Sequence, residues 1–124
     1  MGEETREWKG LMATEPGKNR DAYGHVLGEG ERVLMEFKSI RDVCALTDRK
    51  LIAINVQGIT GKKKEVLVLP YSKMTAWAVE SGGTFDVDAE LRMWASGIGE
   101  VELEFIKGTV DIRDVARIMA GRVG

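Results

Sequence analysis

Residues 85–95 read FDVDAELRMWA, with hydrophobic and polar side chains alternating almost without exception. A β-strand turns successive side chains to opposite faces. Phe85, Val87, Ala89, Leu91, Met93 and Ala95 therefore share one face, and Asp86, Asp88, Glu90, Arg92 and Trp94 the other. This period of two predicts a half-buried strand. Ser81, Gly82 and Gly83 before it, and Gly97, Ile98 and Gly99 after it, read as three-residue hairpin loops, a length that favours glycine where φ is positive. A slip of one residue would turn every side chain to the wrong face, so paired positions must share a burial preference. That sets Met93 opposite Leu103, Leu91 opposite Phe105, Arg92 opposite Glu104 and Trp94 opposite Glu102. In the preceding hairpin it sets Val79 opposite Phe85 and Trp77 opposite Val87, with Ala78 and Ala76 beside Asp86 and Asp88.

Outward from this stretch, glycines separate further strand-sized runs rich in Val, Ile, Leu and Trp. Strands are expected near 31–38, 42–47, 50–56, 65–70, 73–80, 85–95 and 100–106, seven in all. After Thr109 the period changes. Ile112, Val115, Ala116 and Met119 fall at helical spacing, Asp111 and Asp114 lie in the first turn and Gly121 just past the end. This amphipathic helix must cover something, and in a β chain the open end of a barrel or the gap between two sheets is the expected place. Residues 1–28 read as an N-terminal extension and 29–124 as the domain. Within the extension Thr14 can cap a helix, Pro16 fits its first turn, and Ala22, Tyr23, Val26 and Leu27 cluster on one side, while Gly17 and Gly24 count against it.

The chain has 124 residues, the size of one domain. Its 44% hydrophobic and 31% charged content is that of a globular protein rather than a disordered one. No apolar run reaches the roughly 18 residues of a membrane span. The start, MGEETREWKG, carries acids and no apolar segment, unlike a secretory signal, so the cytoplasm is the expected compartment. Cys44 is the single cysteine, which excludes an internal disulfide and a multi-cysteine zinc site; in the run VCAL it reads as a small buried hydrophobe.

The acidic strand face admits several chemistries. Metal binding requires ligands that converge, but alternate residues of a strand stand about 6.5 Å apart with parallel side chains. The spacing also lacks the glycine turn and distal glutamate of a calcium loop. A solvated face and a subunit interface remain open. For the interface, an outward Trp94 beside flat Ala76 and Ala78 forms a docking surface, with Met74, Asp86, Asp88, Glu90 and Arg92 completing the candidate set.

Elsewhere, GITGKKKE at 58–65 has the wrong glycine spacing for a phosphate loop and links two strands. The GEG at 28–30 lacks the third glycine of a dinucleotide fingerprint. His25, the single histidine, has no flanking signature of a triad. Lys62, Lys63 and Lys64, with Lys38 and Arg41 in another turn, are candidates for an anion-binding rim, against the alternative of plain solvated loops. A net charge of -2, an acidic strand and no aromatic stacking platform speak against nucleic acid.

FKSIRD at 37–42, LTDRKLI at 46–52, QGITGKK at 57–63, PYSKMTAWAVESGGTFDVDAEL at 70–91 and EFIKGTVDI at 104–112 together resemble the bacterial pleckstrin homology (PH-like) domain family. The likeness covers the chain from about Gly28 onward; Asp48, where the family usually has Asn, and the third lysine, Lys64, depart from it. The resemblance implies a mainly β fold, a partly open barrel of seven antiparallel strands in two near-orthogonal sheets, capped by a C-terminal helix. It also implies no defined catalytic activity, so no catalytic residues are carried over, together with ring-like homo-oligomers; no cofactor and no metal are expected. Eukaryotic relatives bind phosphoinositides through cations of the first two strands and their loop. Here that loop is very short and holds only Lys38 and Arg41, and fold alone is no warrant for lipid binding. The expectation is a non-enzymatic module that associates with itself or another protein as a scaffold or interaction domain. The alternative is an anion or acidic-lipid binding domain that reaches a membrane through the basic rim.

Overall fold

The computed structural model describes residues 5–58, 61–81 and 88–123. Among the described residues eight strands form one curled sheet: β1 (Thr5–Thr14), β2 (Val33–Lys38), β3 (Val43–Thr47), β4 (Lys50–Gln57), β5 (Lys63–Pro70), β6 (Met74–Glu80), β7 (Ala89–Ala95) and β8 (Gly99–Phe105), followed by helix α1 (Ile112–Arg122). The order across the sheet is β5-β4-β3-β2-β1-β8-β7-β6. Consecutive strands β5 and β6 thus lie at its two ends without pairing, which makes the barrel open. The mainly β, PH-like architecture with a C-terminal helix is as expected.

The strand beyond the expected seven is β1, and it corrects the reading of the N-terminus. Its second half pairs antiparallel with β2, and its first half runs parallel to β8. It therefore belongs to both halves of the sheet, which are continuous rather than two separate antiparallel layers. Gly10, at φ 68, sits where the β1–β8 register shifts between Trp8 and Leu11. A residue without Cβ adopts this backbone at no steric cost, and the resulting bulge bends the strand from one half to the other. The bulge also hid the strand. Trp8 and Leu11, its two core residues, stand three apart instead of two. Trp8 donates from Nε1 to the Ile54 carbonyl oxygen at 3.1 Å, and Arg6 pairs with Glu65 at 3.1 Å, so β1 reaches across the barrel to β4 and β5.

The candidate N-terminal helix is two single 3-10 turns, Arg20–Ala22 and Gly24–Val26. This segment packs on the outer surface of the β2–β5 half, where Tyr23 is buried with Val43, Ala45, Ile52 and Ile54. Every residue of β3 is consequently buried. The inner face holds the main core, including Leu11, Phe37, Cys44, Leu46, Leu91, Met93, Leu103 and Phe105, with the Phe37 and Phe105 ring centroids 4.7 Å apart. Cys44 is the buried hydrophobe expected, its thiol pushed up by burial. Helix α1 is capped by Asp111, which accepts from the Arg113 amide at 3.0 Å, and buries Val115 and Met119 against the core. It lies over β6, β7 and the Tyr71–Lys73 turn. Gly121 falls inside its last turn rather than beyond it, with Val123 at the end.

The side-chain parity of β7 is as expected: Leu91, Met93, Leu103 and Phe105 are fully buried. The register differs. Met93 faces Val101, Leu91 faces Leu103, Arg92 faces Glu102 and Trp94 faces Glu100. The β7–β8 loop is Ser96, Gly97 and Ile98, one residue earlier than expected, because the pair Ala95 and Gly99 closes it. Gly97 at φ 82 and Gly99 at φ 87 both have positive φ, so glycine position alone could not choose between the two loops. On the other side, Ala78 pairs with Arg92 and Ala76 with Trp94, not with the aspartates. The last pair is Glu80 with Glu90 and β7 begins at Ala89, with Val79 facing Leu91 and Trp77 facing Met93; Phe85 and Val87, their expected partners, and the loop residues Gly82 and Gly83 lie outside the described residues. Both corrections move partners by an even number, which keeps each of these paired residues on its face.

Two buried carboxylates fasten residues 14–31 to the sheet. Glu36 accepts from Thr14 Oγ1 at 2.6 Å, the Asn19 amide at 3.0 Å, Asn19 Nδ2 at 2.8 Å and Tyr23 Oη at 2.5 Å. Glu31 accepts from the Gly28 amide at 2.8 Å and Thr47 Oγ1 at 2.5 Å, and pairs with Lys50 at 3.0 Å. Burial pushes both carboxyls up, but these donors outweigh it and hold both below the ordinary glutamate value. The stability they contribute is present above that value and is lost as pH falls through their lowered folded values. Tyr23→Phe removes one donor to a buried carboxylate and should destabilise the protein by about 1–3 kcal/mol. Urea denaturation measures this; an unchanged midpoint would show that the Tyr23–Glu36 bond contributes nothing.

Candidate functional site: an uncovered acidic face and a basic rim

The outer surface of the β2–β5 half is covered by residues 15–30, whereas none of the described residues lies over the outer surface of β6, β7 and β8. Trp94 stands there half-buried, its ring 5.7 Å from the Arg92 guanidinium carbon. Beside it a shallow recess is lined by Thr75, Ala76, Trp94, Ala95 and Ser96. Ala76, Ala78, Glu90, Arg92 and Trp94 therefore share one face, as the alternation of side chains predicts. Met74 does not join them. The register shifts between Met74 and Ala76, which turns Met74 into the core at 8% exposure. Asp88 precedes β7 and accepts from the Lys107 amide at 3.0 Å; Asp86 lies outside the described residues.

The face is more acidic than expected, because β1 and β8 add to it. Glu7 lies alongside Glu102, Glu90 is paired with Glu104, and Glu100 faces Trp94. Arg92 reaches Glu80 at 3.5 Å and Glu100 at 3.9 Å, and Lys9 pairs with Glu7 at 3.2 Å. Those two cations leave Glu102 poorly compensated. The adjoining Glu90 carboxyl, partial burial, and the charges of Glu7 and Glu100 raise its pKa to about 7. Burial of Glu102 among other acids was not legible locally, since Glu7 is some 95 residues away in sequence. Among the described residues no three His, Cys, Asp or Glu side chains are grouped to hold a metal ion. His25 is exposed on the turn Gly24–Val26.

The basic candidates cluster at one end of the β2–β5 half. Arg41, at the tip of the β2–β3 hairpin, donates to the Gly58 carbonyl oxygen at 2.5 Å in the β4–β5 connection. Asp42 braces the same junction by accepting from the Val56 amide at 2.9 Å. This joins Arg41 to the loop that leads into Lys62, Lys63 and Lys64, all three exposed. Lys38 is half-buried and donates to the Ser39 carbonyl oxygen at 3.1 Å. Sequence reasoning missed a groove of about 600 Å³ on the β1 side of the hairpin, bordered by Lys9, Met12, Lys38, Ile40, Arg41 and Ile106 among others. Its signal was Ile40, an isoleucine at the centre of a four-residue turn and 97% exposed.

A family model described as Bacterial PH domain matches residues 7–123. The chain is 40% identical over 103 residues to an uncharacterized protein of Bacillus subtilis (strain 168), YjqA, covering 82% of each. To a second from that organism, YozO, it is 31% identical over 94 residues, covering 76% of this chain and 80% of the relative. Among solved structures it is similar to a DUF1696 family protein with a pleckstrin-homology domain from Shewanella loihica. That match has TM-score 0.77 and 31% identity, covering 93% of this chain and 98% of the other. A pleckstrin homology domain from Shewanella amazonensis matches with TM-score 0.66 and 33% identity, covering 90% of each. With the open barrel, the capping helix and a family match that includes most of β1, the chain belongs to the bacterial PH domain family.

Proposed function

We propose that this chain is a non-enzymatic interaction module that associates with copies of itself through the outer face of β6, β7 and β8. The observation that carries the reading is the asymmetry between the halves of the sheet. One outer surface is sealed by residues 15–30, while the other presents Trp94 beside Ala76 and Ala78 within a field of glutamates. A large aromatic next to small flat residues suits the centre of a protein contact, with charges around it setting the partner. The partner's complement exists in the chain itself. The exposed Lys62, Lys63 and Lys64 at the far end of the sheet carry the charge that would satisfy Glu100, Glu102 and Glu104. Contact between two different surfaces of identical chains closes into a ring or extends into a filament, according to the rotation between neighbours.

Static light scattering at high micromolar concentration tests assembly: a species larger than one chain is expected, and a strict monomer would end this reading. Trp94→Lys should shift the distribution toward smaller species; an unchanged mass would move the contact to another surface. The raised Glu102 pKa gives a second test. The folded state holds this proton up to about pH 7 and the unfolded chain only to the ordinary value of 4.5. Stability contributed by that proton is therefore lost as pH rises through this window. Glu102→Gln should flatten the fall in thermal midpoint between pH 5 and 8, and stabilise the protein at pH 8 by roughly 1–2 kcal/mol after allowance for solvent screening.

A further inference from the structure

We infer that the groove beside the β2–β3 hairpin, with Ile40 at its lip, is the seat for Trp94 of a second copy of this chain. The inference rests on the reading that copies associate through the outer face of β6, β7 and β8, and it adds where on the neighbour that face lands.

Isoleucine is usually found buried, yet Ile40 is 97% exposed at the tip of its turn and contributes nothing to the core. Met12 at 48% and Ile106 at 37% exposure border the same groove. Exposed apolar side chains gathered around a recess mark a surface that meets another apolar group. The chain carries such a group on its outer wall. Trp94 stands half-buried there, beside Ala76 and in a recess too shallow to enclose it. A tryptophan buries about 150–250 Å² once enclosed, and a groove of about 600 Å³ has room for its indole.

Charge decides the pairing. Lys38 and Arg41 flank Ile40, and the bond from Arg41 to the Gly58 carbonyl oxygen joins the groove to the loop of Lys62, Lys63 and Lys64 without cancelling the guanidinium charge. Lys9 is already paired with Glu7, and Asp42, a carboxylate among the lining residues, accepts from the Val56 amide. The groove is therefore an apolar recess in a basic rim. Trp94 is its complement, an apolar group that faces Glu100, with Glu102 and Glu104 further along β8. One acidic face repels another and one basic rim another, which leaves face on rim. The two patches of a single chain cannot meet, because Glu100 lies at the start of β8 and Ile106 beyond its end, about 20 Å away along the strand. Each chain thus gives its Trp94 to one neighbour and takes the tryptophan of another. The groove holds its shape for this, since Ser39 and Asp42 exchange hydrogen bonds of 2.9 and 3.0 Å across the hairpin turn.

Complementation between two variants tests this by sedimentation velocity at high micromolar concentration, with the parent chain alongside. Trp94→Lys keeps the groove and loses the tryptophan. Ile40→Asp, at a position with no packing to lose, keeps the tryptophan and puts a carboxylate where the acidic face would land. Each variant alone should associate at least about tenfold more weakly than the parent. Mixed in equal amounts, they should form a species of two chains and no larger, because one intact groove meets one intact tryptophan and both remaining surfaces are spoiled. Unchanged thermal midpoints show that both variants fold; Trp94→Ala takes the place of Trp94→Lys where the lysine lowers the midpoint. An Ile40→Asp chain that assembles as the parent does would overturn the inference and leave association through Trp94 intact, the groove then serving another occupant. A mixture that stays single-chained would also overturn it, since the tryptophan would have a different seat. A parent that is itself a strict monomer ends the underlying reading, and this inference with it.

Discussion

One strand with two sets of partners holds this fold together. β1 is antiparallel to β2 at one end and parallel to β8 at the other, and among the described residues the sheet order contains no other link between its halves. The change of partner depends on the bend at Gly10, because a straight strand cannot follow two sheet portions that curl away from each other. Trp8 and Leu11, on either side of the bend, place their side chains in the core where the halves meet. The concave interior that results is closed at one end by α1 and across the strands by Trp8 and Arg6.

The chain also treats its two halves differently. In the β2–β5 half, residues 15–30 return over the outer surface, and this return requires a polar anchor because the segment has little regular structure of its own. Glu36 and Glu31 are those anchors. Each is a carboxylate removed from water, which is unfavourable unless its lone pairs are satisfied, and each collects donors from the segment it fixes. In the β6–β8 half no comparable segment covers the sheet among the described residues, and carboxylates accumulate there instead. Buried acids thus mark the covered side and crowded acids the open one.

Much of this was legible in the residues. Alternation in LRMWA and VELEF is a direct image of a sheet with one dry face, and it places Leu91, Met93, Leu103 and Phe105 inside without any knowledge of register. The C-terminal helix was equally plain, since Asp111 and the Ile112–Val115–Met119 stripe are local signals. The register itself was not, because neighbouring loops with glycine at equivalent places predict pairings two residues apart. β1 escaped because its bulge destroys the period of two. The covering of β3 and β4 was written in the runs VCALT and LIAI, whose unbroken hydrophobicity marks strands buried on both faces. Glu36 within VLMEFK reads as a solvent-facing charge, and only its distant donors, Thr14, Asn19 and Tyr23, show otherwise. Of the candidate surface, Ala76, Ala78 and Trp94 were placed by parity alone, while Met74 was misplaced by a register shift that no residue announces.

Two-sided burial in one half and one-sided burial in the other have an evolutionary consequence. In β3 and in Leu51–Ile54 of β4 both faces are packed, so only substitutions that keep volume and apolar character leave the fold intact. Along β7 and β8 every second position is released from that restriction. Divergence among homologues should therefore gather on one wall of the barrel, where new partners can be acquired while the opposite wall stays nearly invariant.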